Sequence, residues 1–437
     1  MSVNDAEIKK LMLLELQRQR TTLQMIPSEN YASAEVLNAC GSVLNNKYAE
    51  GYPKKRYYQG NEAVDQVEAI AIERAKQIFG AEHANVQPYS GSPANLAVYF
   101  ALLNPGDKVL GMALDMGGHL THGHKVNFSS RYYNSVQYGV DKETNWLNMD
   151  EIRKIAHKEK PKMIISGATA YPRQFDFKEF HRIAEEVGAY SLADISHIAG
   201  LIVGGVHPSP FPFTDVVMTT THKTLRGPRG AIILCKKEDR LASINGLDEK
   251  EILKAKDLAR KIDGAVFPNL QGGPHQHSIA AKAIAFYEAA QPEFRDYAEQ
   301  IVKNAKVLAE TLMLHGVNLV TGGTDNHLIL INLIKTKGVE KPGLGKAIAT
   351  ALEKAGIVAN ANTVPFDPSP PFKPSGIRLG TPALTTQGML EPEMKEVGEL
   401  IATVISNYEE SAVIARVKAK VEELCKRFPL YKEWQNY

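Results

Sequence analysis

Three short turns in this chain carry side chains suited to one joint task. The first is Ser90-Gly91-Ser92-Pro93-Ala94, where an apolar strand-like run gives way to a helical one. Two hydroxyls beside successive backbone N–H groups at a helix start make a seat for a phosphate. The second is Ala193-Asp194-Ile195-Ser196-His197. Its aspartate ends another apolar run and could hold a protonated ring nitrogen, with His197 touching the same ring. The third is Thr219-Thr220-Thr221-His222-Lys223-Thr224, followed by Leu225-Arg226-Gly227-Pro228-Arg229-Gly230. A lysine held at a strand end among other cations can have a lowered pKa and condense with an aldehyde. Taken singly, each has an ordinary explanation: Ser92 as a helix N-cap, Asp194 as a turn cap, Lys223 as a surface lysine.

Order and combination change that balance. Phosphate, ring nitrogen and aldehyde carbon are the three points at which pyridoxal 5'-phosphate must be gripped, and the chain offers a group for each in turn. The aspartate would keep the ring nitrogen protonated, making the ring an electron sink for an amino acid's α-carbon.

Such turns need strands to carry them. Short apolar runs at Ala84–Gln87, Asp107–Met112, Lys162–Ser166, Ala189–Ala193, Asp215–Thr221 and Ala231–Cys235 suit strands buried on both faces of a parallel sheet. Helical patterns at Glu62–Phe79, Ser92–Leu103, Met149–Glu159 and Lys178–Val187 alternate with several of them, which predicts an α/β layer architecture. In such sheets ligands sit beyond the carboxyl ends of the strands. After Gln291 the texture changes to a helix over Glu293–His315, strands at Val317–Val320 and His327–Leu333, and a helix ending near Gly356. A proline-rich stretch over Pro365–Pro374, a short strand around Ile377 and two final helices follow. The expected division is an N-terminal helix and arm over 1–50, a large α/β domain over 51–290 and a smaller α+β domain over 291–437.

Composition agrees with a folded enzyme. The 437 residues are 44% apolar and 23% charged, which excludes a disordered or fibrous chain. Lysine plus arginine, 51, against aspartate plus glutamate, 49, leaves +2 and argues against a nucleic-acid binder. No Gly-x-Gly-x-x-Gly follows the first strand, so a dinucleotide fold is not expected. Cys40, Cys235 and Cys425 are scattered and odd in number, which fits a reducing, cytoplasmic setting. Asp5–Arg20 reads as an amphipathic helix rather than a secretory signal, and no apolar run is long enough for a membrane span. His119, His122 and His124 invite a metal reading, but no nearby carboxylate or thiol completes a ligand set.

Further segments stand out: Ile26-Pro27-Ser28-Glu29-Asn30, Asn46 to Pro53, Lys55-Arg56-Tyr57-Tyr58, Gly117 to Gly123, Gln271-Gly272-Gly273-Pro274 and Gly376 to Pro382. With the threonine-lysine run, and over nearly its whole length, the chain resembles serine hydroxymethyltransferase, a family of the aspartate-aminotransferase-like, fold-type I group. The resemblance implies a large domain with a mostly parallel central sheet and a small C-terminal α+β domain. It implies pyridoxal phosphate on Lys223, with Asp194 at the ring nitrogen, His197 at the ring hydroxyl and His119 on the ring face. Ser90, Gly91 and Ser92 would take the phosphate, completed by Tyr48, Gly272 and Gly273 of a second subunit in a homodimer; pairing into tetramers stays open. Thr169, Thr220, His222 and Arg229 would support the cofactor and lysine. Ser28 and Arg378 would hold the substrate carboxylate, Arg378 as a fork. Glu50, with Tyr58, would move the proton of the substrate hydroxyl. Leu114, Leu120 and Asn362 would receive tetrahydrofolate.

The implied reaction converts L-serine and tetrahydrofolate reversibly to glycine and 5,10-methylenetetrahydrofolate, with no nucleic acid or membrane partner. A folate-independent aldolase, a hydroxymethyltransferase for an α-methyl amino acid, or use of another pterin is the alternative, prompted by Phe366 where the family usually has asparagine. Packing is the favoured explanation for Phe366. The aspartate motif departs too: Ala-Asp-Ile-Ser-His stands where Val-Asp-Met-Ala-His is commoner, with no functional group lost.

Overall fold

A computed structural model describes residues 5–432 and divides the chain into two compact units. One holds Ala32–Glu299; the other joins residues up to Tyr31 with those from Gln300 onward. The N-terminal arm expected over 1–50 is thus shared between the two, and its first four residues, like the last five of the 291–437 segment, lie outside the described residues.

The larger unit is organised on a seven-stranded sheet. Its strands are β1 (His83–Asn85), β2 (Lys108–Met112), β3 (Asn134–Tyr138), β4 (Met163–Ser166), β5 (Tyr190–Asp194), β6 (Val216–Thr220) and β7 (Ala231–Cys235). They lie in the order β1-β7-β6-β5-β4-β2-β3. The pairs from β3 to β6 are parallel, and β7 alone runs antiparallel to both its neighbours. Every residue of β4, β6 and β7 is buried, as expected of β-branched and aliphatic runs covered on both faces. Strand β3 was not expected. Its Asn-Ser-Val-Gln-Tyr sequence is polar because it forms the sheet edge, with only Tyr138 fully buried.

Helix Glu62–Phe79 forms over the predicted span; Val64, Ala71, Ala75 and Phe79 face inward and Gly80 closes it at φ 68°. On the same buried face Glu68 receives Arg56 at 2.7 Å, Gln87 at 2.6 Å and Gln276 at 2.9 Å. A buried carboxylate of this kind persists only when fully hydrogen-bonded.

In the smaller unit β8 (Leu328–Asn332), β9 (Asn360–Asn362) and β10 (Gly376–Gly380) make an antiparallel sheet with β10 in the middle. Helices Gly345–Lys354, Glu391–Ser406 and Ser411–Arg427 contribute to one apolar core with it. The strand expected at Val317–Val320 is absent among the described residues: only Leu319 bridges Ile331, and Thr321 at φ 63° turns the chain away. The N-terminal helix forms over Ala6–Thr21, but its apolar row is not buried; Ile8, Leu11, Met12 and Leu14 are all exposed. Among the described residues no helix is long and apolar enough to cross a membrane.

Candidate active site

Asp194 is the last residue of β5 and four donors converge on its buried carboxylate. Asn95 Nδ2 and His122 Nε2 each reach Oδ2 at 3.0 Å. Ser196 gives its backbone N–H to Oδ1 at 3.1 Å and its hydroxyl at 2.6 Å. His122 Nδ1 accepts from the His119 backbone at 3.3 Å, which leaves Nε2 as the donor. Burial opposes ionisation of Asp194, but the hydrogen bonds from His122 and Ser196, with His119 nearby, outweigh it and hold the carboxyl well below its usual range. Ser196 carries the network onward: its hydroxyl accepts the Thr220 N–H at 3.1 Å. The serine that departs from the commoner alanine therefore adds a functional group, a bond to the central aspartate.

Lys223 lies in the connection between β6 and β7, whose register pairs Thr220 with Ala231. Arg226 N donates to Lys223 O at 3.0 Å, and Thr224 Oγ1 donates to His197 O at 3.0 Å, so the lysine loop is stitched to the turn after Asp194. Burial first, then the charges of Lys223 and Arg229, pull the His222 imidazole down to about 3, so it is neutral at ordinary pH. Among the described residues, Thr220 Oγ1 and His222 Nδ1 are buried without a hydrogen-bond partner. Orphaned polar atoms of this kind mark a place where a ligand's polar groups complete the bonding.

The serine turn is differently built from the sequence expectation. Helix Gly91–Leu102 starts one residue earlier, with Ser90 as N-cap in extended conformation and no side-chain cap bond. Ser92 is not the cap but lies in the first turn, and both serines are exposed. A Cβ on Gly91 would stand 2.8 Å from Thr220 Cγ2, so only glycine lets the helix start approach the lysine strand. Thr169, beyond the end of β4, donates its hydroxyl to Gly118 O at 2.8 Å beside His119. His119 Nδ1 is held by Thr121 Oγ1 at 2.7 Å. Leu114 and Leu120 sit in the two turns after β2, Leu120 exposed.

A second group forms at the surface of the same unit. Tyr48 donates its hydroxyl to Glu50 Oε1 at 3.2 Å and meets Tyr58 edge to face at 5.0 Å. A Cβ on Gly272 would lie 3.2 Å from Glu50 Oε1, and one on Gly273 would lie 3.4 Å from the Tyr48 ring. The Glu50 charge raises the Tyr48 phenol above its usual pKa. Tyr89 ties this group to the serine turn: its N–H goes to Gln271 Oε1 at 3.1 Å and its hydroxyl to Gly273 O at 2.8 Å.

In the smaller unit Arg378 lies on β10, with Nε donating to Asn360 Oδ1 at 3.1 Å, and burial lowers its guanidinium to about 10. Gly380 N donates to Met25 O at 2.8 Å, which sets the Ser28 segment beside this strand. Asn362 is on β9 and bonds Thr363 O at 2.7 Å. Phe366 is 43% exposed with φ 58°, so packing does not explain it; the position is a left-handed turn, a conformation that asparagine tolerates better.

Sequence reading missed His122 and Asn95 as partners of Asp194. His122 offered a signal, three residues from His119 in a tight turn, but it was weighed only as a metal ligand.

The residues present fit the cofactor: an ionised acid for a ring nitrogen, an uncapped helix start for a phosphate, and orphaned donors and acceptors around a lysine. An α/β unit with these groups at one end of a mostly parallel sheet is a fold-type I pyridoxal-phosphate enzyme. The family model for serine hydroxymethyltransferase matches residues 1–401. The serine hydroxymethyltransferase of Acidothermus cellulolyticus is 53% identical over 435 residues, covering 98% of this chain and 96% of the relative. That of Desulfotalea psychrophila is 53% identical over 425 residues, covering 97% and 94%. The chain belongs to the serine hydroxymethyltransferase family, whose members are pyridoxal-phosphate-dependent transferases of one-carbon metabolism that use tetrahydrofolate.

Proposed function

We propose that this enzyme performs the family's reaction, L-serine plus tetrahydrofolate to glycine plus 5,10-methylenetetrahydrofolate, with the residues described above in the following roles. Ser90, Gly91 and Ser92 hold the cofactor phosphate at the uncapped helix start, and Lys223 holds its aldehyde carbon. Asp194 keeps the proton on the ring nitrogen, His197 faces the ring hydroxyl, and His119 offers a ring face. Thr169, Thr220, His222 and Arg229 orient the lysine end. When bound, pyridoxal phosphate supplies an electron-withdrawing ring that accepts charge developing at the amino acid's α-carbon.

Arg378 and Ser28 hold the carboxylate of serine, a guanidinium being matched to that group. Glu50 takes and returns the proton of the serine hydroxyl, with Tyr58 beside it. Leu114, Leu120 and Asn362 bind tetrahydrofolate. Tyr48, Glu50, Tyr58, Gly272 and Gly273 serve the site of a partner copy, so the working form is a homodimer, placed in the cytoplasm.

The observation that carries this reading is the four-donor shell of Asp194 linked through Ser196 to Thr220, three residues before Lys223. Borohydride reduction of the cofactor-loaded enzyme followed by peptide mapping tests it: the adduct is expected on Lys223, and an adduct elsewhere overturns the assignment. Sharing of sites has its own test. Mixing Lys223→Ala with Glu50→Gln protein is expected to restore activity neither has alone, since one site of each mixed dimer is then intact; no recovery after verified exchange contradicts it.

A further inference from the structure

Helix Gln276–Ala289 carries a lysine that the reaction does not use. Lys282 is 2% exposed, on a helix whose other buried residues are Gln276, Ile279, Phe286 and alanines. Its Nζ lies 2.8 Å from Val86 O, 2.9 Å from Ala231 O and 3.1 Å from Pro88 O. An ammonium has three N–H groups and no acceptor, so three carbonyls saturate it. Burial pulls this ammonium down to about 7, opposed by the Glu68 carboxylate. The charged form is supported because every one of its protons is bonded.

These carbonyls belong to the backbone around the serine turn. Strand β1 ends at Asn85, and the chain then leaves the ladder toward Ser90. From there its polar groups are met by side chains and by one backbone bond. Gln271 Nε2 donates to Gln87 O at 3.0 Å and Gln271 Oε1 takes the Tyr89 N–H. Ala231 N donates to Pro88 O at 3.3 Å, and Lys282 covers Val86 and Pro88. Its third bond reaches Ala231, the first residue of β7, next to Gly230 whose carbonyl accepts the Thr221 N–H at 3.1 Å. One side chain thus ties the approach to Ser90 to the return limb of the Lys223 loop. A Cβ on Gly230 would stand 2.5 Å from Lys282 Cε, so glycine leaves the passage through which the lysine stem runs.

We propose that Lys282 is a positioning residue that fixes the serine turn against the Lys223 loop and thereby sets the affinity for the cofactor's phosphate. The proposal rests on the reading of Ser90–Ser92 as the phosphate seat. Its part is indirect, through the Val86, Pro88 and Ala231 carbonyls.

The test compares pyridoxal phosphate with pyridoxal, which lacks the phosphate, in titrations of wild-type, Lys282→Met and Gly230→Ala apoenzyme. Lys282→Met is expected to weaken pyridoxal phosphate by about tenfold, because Val86 O loses its lysine donor and Pro88 O keeps only the longer bond from Ala231 N, while pyridoxal changes by less than about twofold. Equal weakening of both ligands, or none, overturns the proposal, since a merely structural lysine does not discriminate phosphate. If Lys282→Met does not fold, Gly230→Ala decides by the same criterion, because it crowds the lysine stem and keeps the charge. A wild-type apoenzyme that holds pyridoxal as tightly as its phosphate ester would overturn the phosphate-seat reading itself, and the proposal with it, whatever the variants do.

Discussion

The floor around Asp194 and the rim around Glu50 belong to one unit and differ in how far each is completed by its own chain. Asp194 is buried and takes four hydrogen bonds from Asn95, His122 and Ser196. Glu50 is half-buried, with Tyr48 and Tyr58 exposed beside it. A carboxylate of the first kind has its charge state set by folding, whereas the second keeps contact with solvent. In the roles proposed above, the first kind would tune a cofactor and the second would handle a substrate proton.

The largest expected effect falls on the floor. Asp194→Asn should lower kcat by roughly a thousandfold, the scale of losing one preorganised charge at a reacting centre. It should lower the thermal midpoint as well, because His122 and the Ser196 hydroxyl lose an ionic acceptor. Glu50→Gln should cost roughly a hundredfold in kcat and leave the midpoint nearly unchanged. If Glu50→Gln also loses stability, or Asp194→Asn does not, the distinction between floor and rim breaks.

Acid stability sharpens the same contrast. His222 has a folded pKa of about 3 against 6.5 for the free side chain, so the unfolded chain binds the extra proton between those values. Stability of the apoenzyme should therefore fall as pH drops from 6.5 toward 3, and His222→Asn should flatten that slope in denaturant titrations. Asp194, with its depressed pKa, stabilises above the ordinary carboxylate value and loses that contribution only in stronger acid. The smallest effect lies outside both regions. Phe366→Asn should stabilise by about 1 kcal/mol, relieving a left-handed backbone at an exposed side chain, measured as a rise in the denaturation midpoint.

Much of this was legible in residue order. Five of the seven large-sheet strands announce themselves as short apolar runs because they are interior to the sheet; of the two edge strands, the one expected at Ala84–Gln87 forms over His83–Asn85, and the polar Asn134–Tyr138 escapes. The Asp194 and Lys223 turns are visible because an acid and a lysine stand at or just after the ends of apolar runs. Residues such as Asn95 and Lys282 are not, because each sits in an apolar helical pattern and finds its partners only through the fold: Asn95 meets Asp194, and Lys282 meets Val86. Val317–Val320 failed as a strand because a β-branched pattern cannot foresee that Thr321 turns left-handed.

Strand β7 returning beside β6 has a consequence for the segment between them. The polypeptide around Lys223 is clamped by ladder bonds at both of its ends, Thr220 against Ala231, instead of launching into a long crossover. Extra residues spliced into that loop would have nowhere to go without unzipping a fully buried pair of strands. Insertions there should be far more damaging than at the exposed Lys142-Glu143-Thr144 turn, which offers a place for tags or labels that spare the fold.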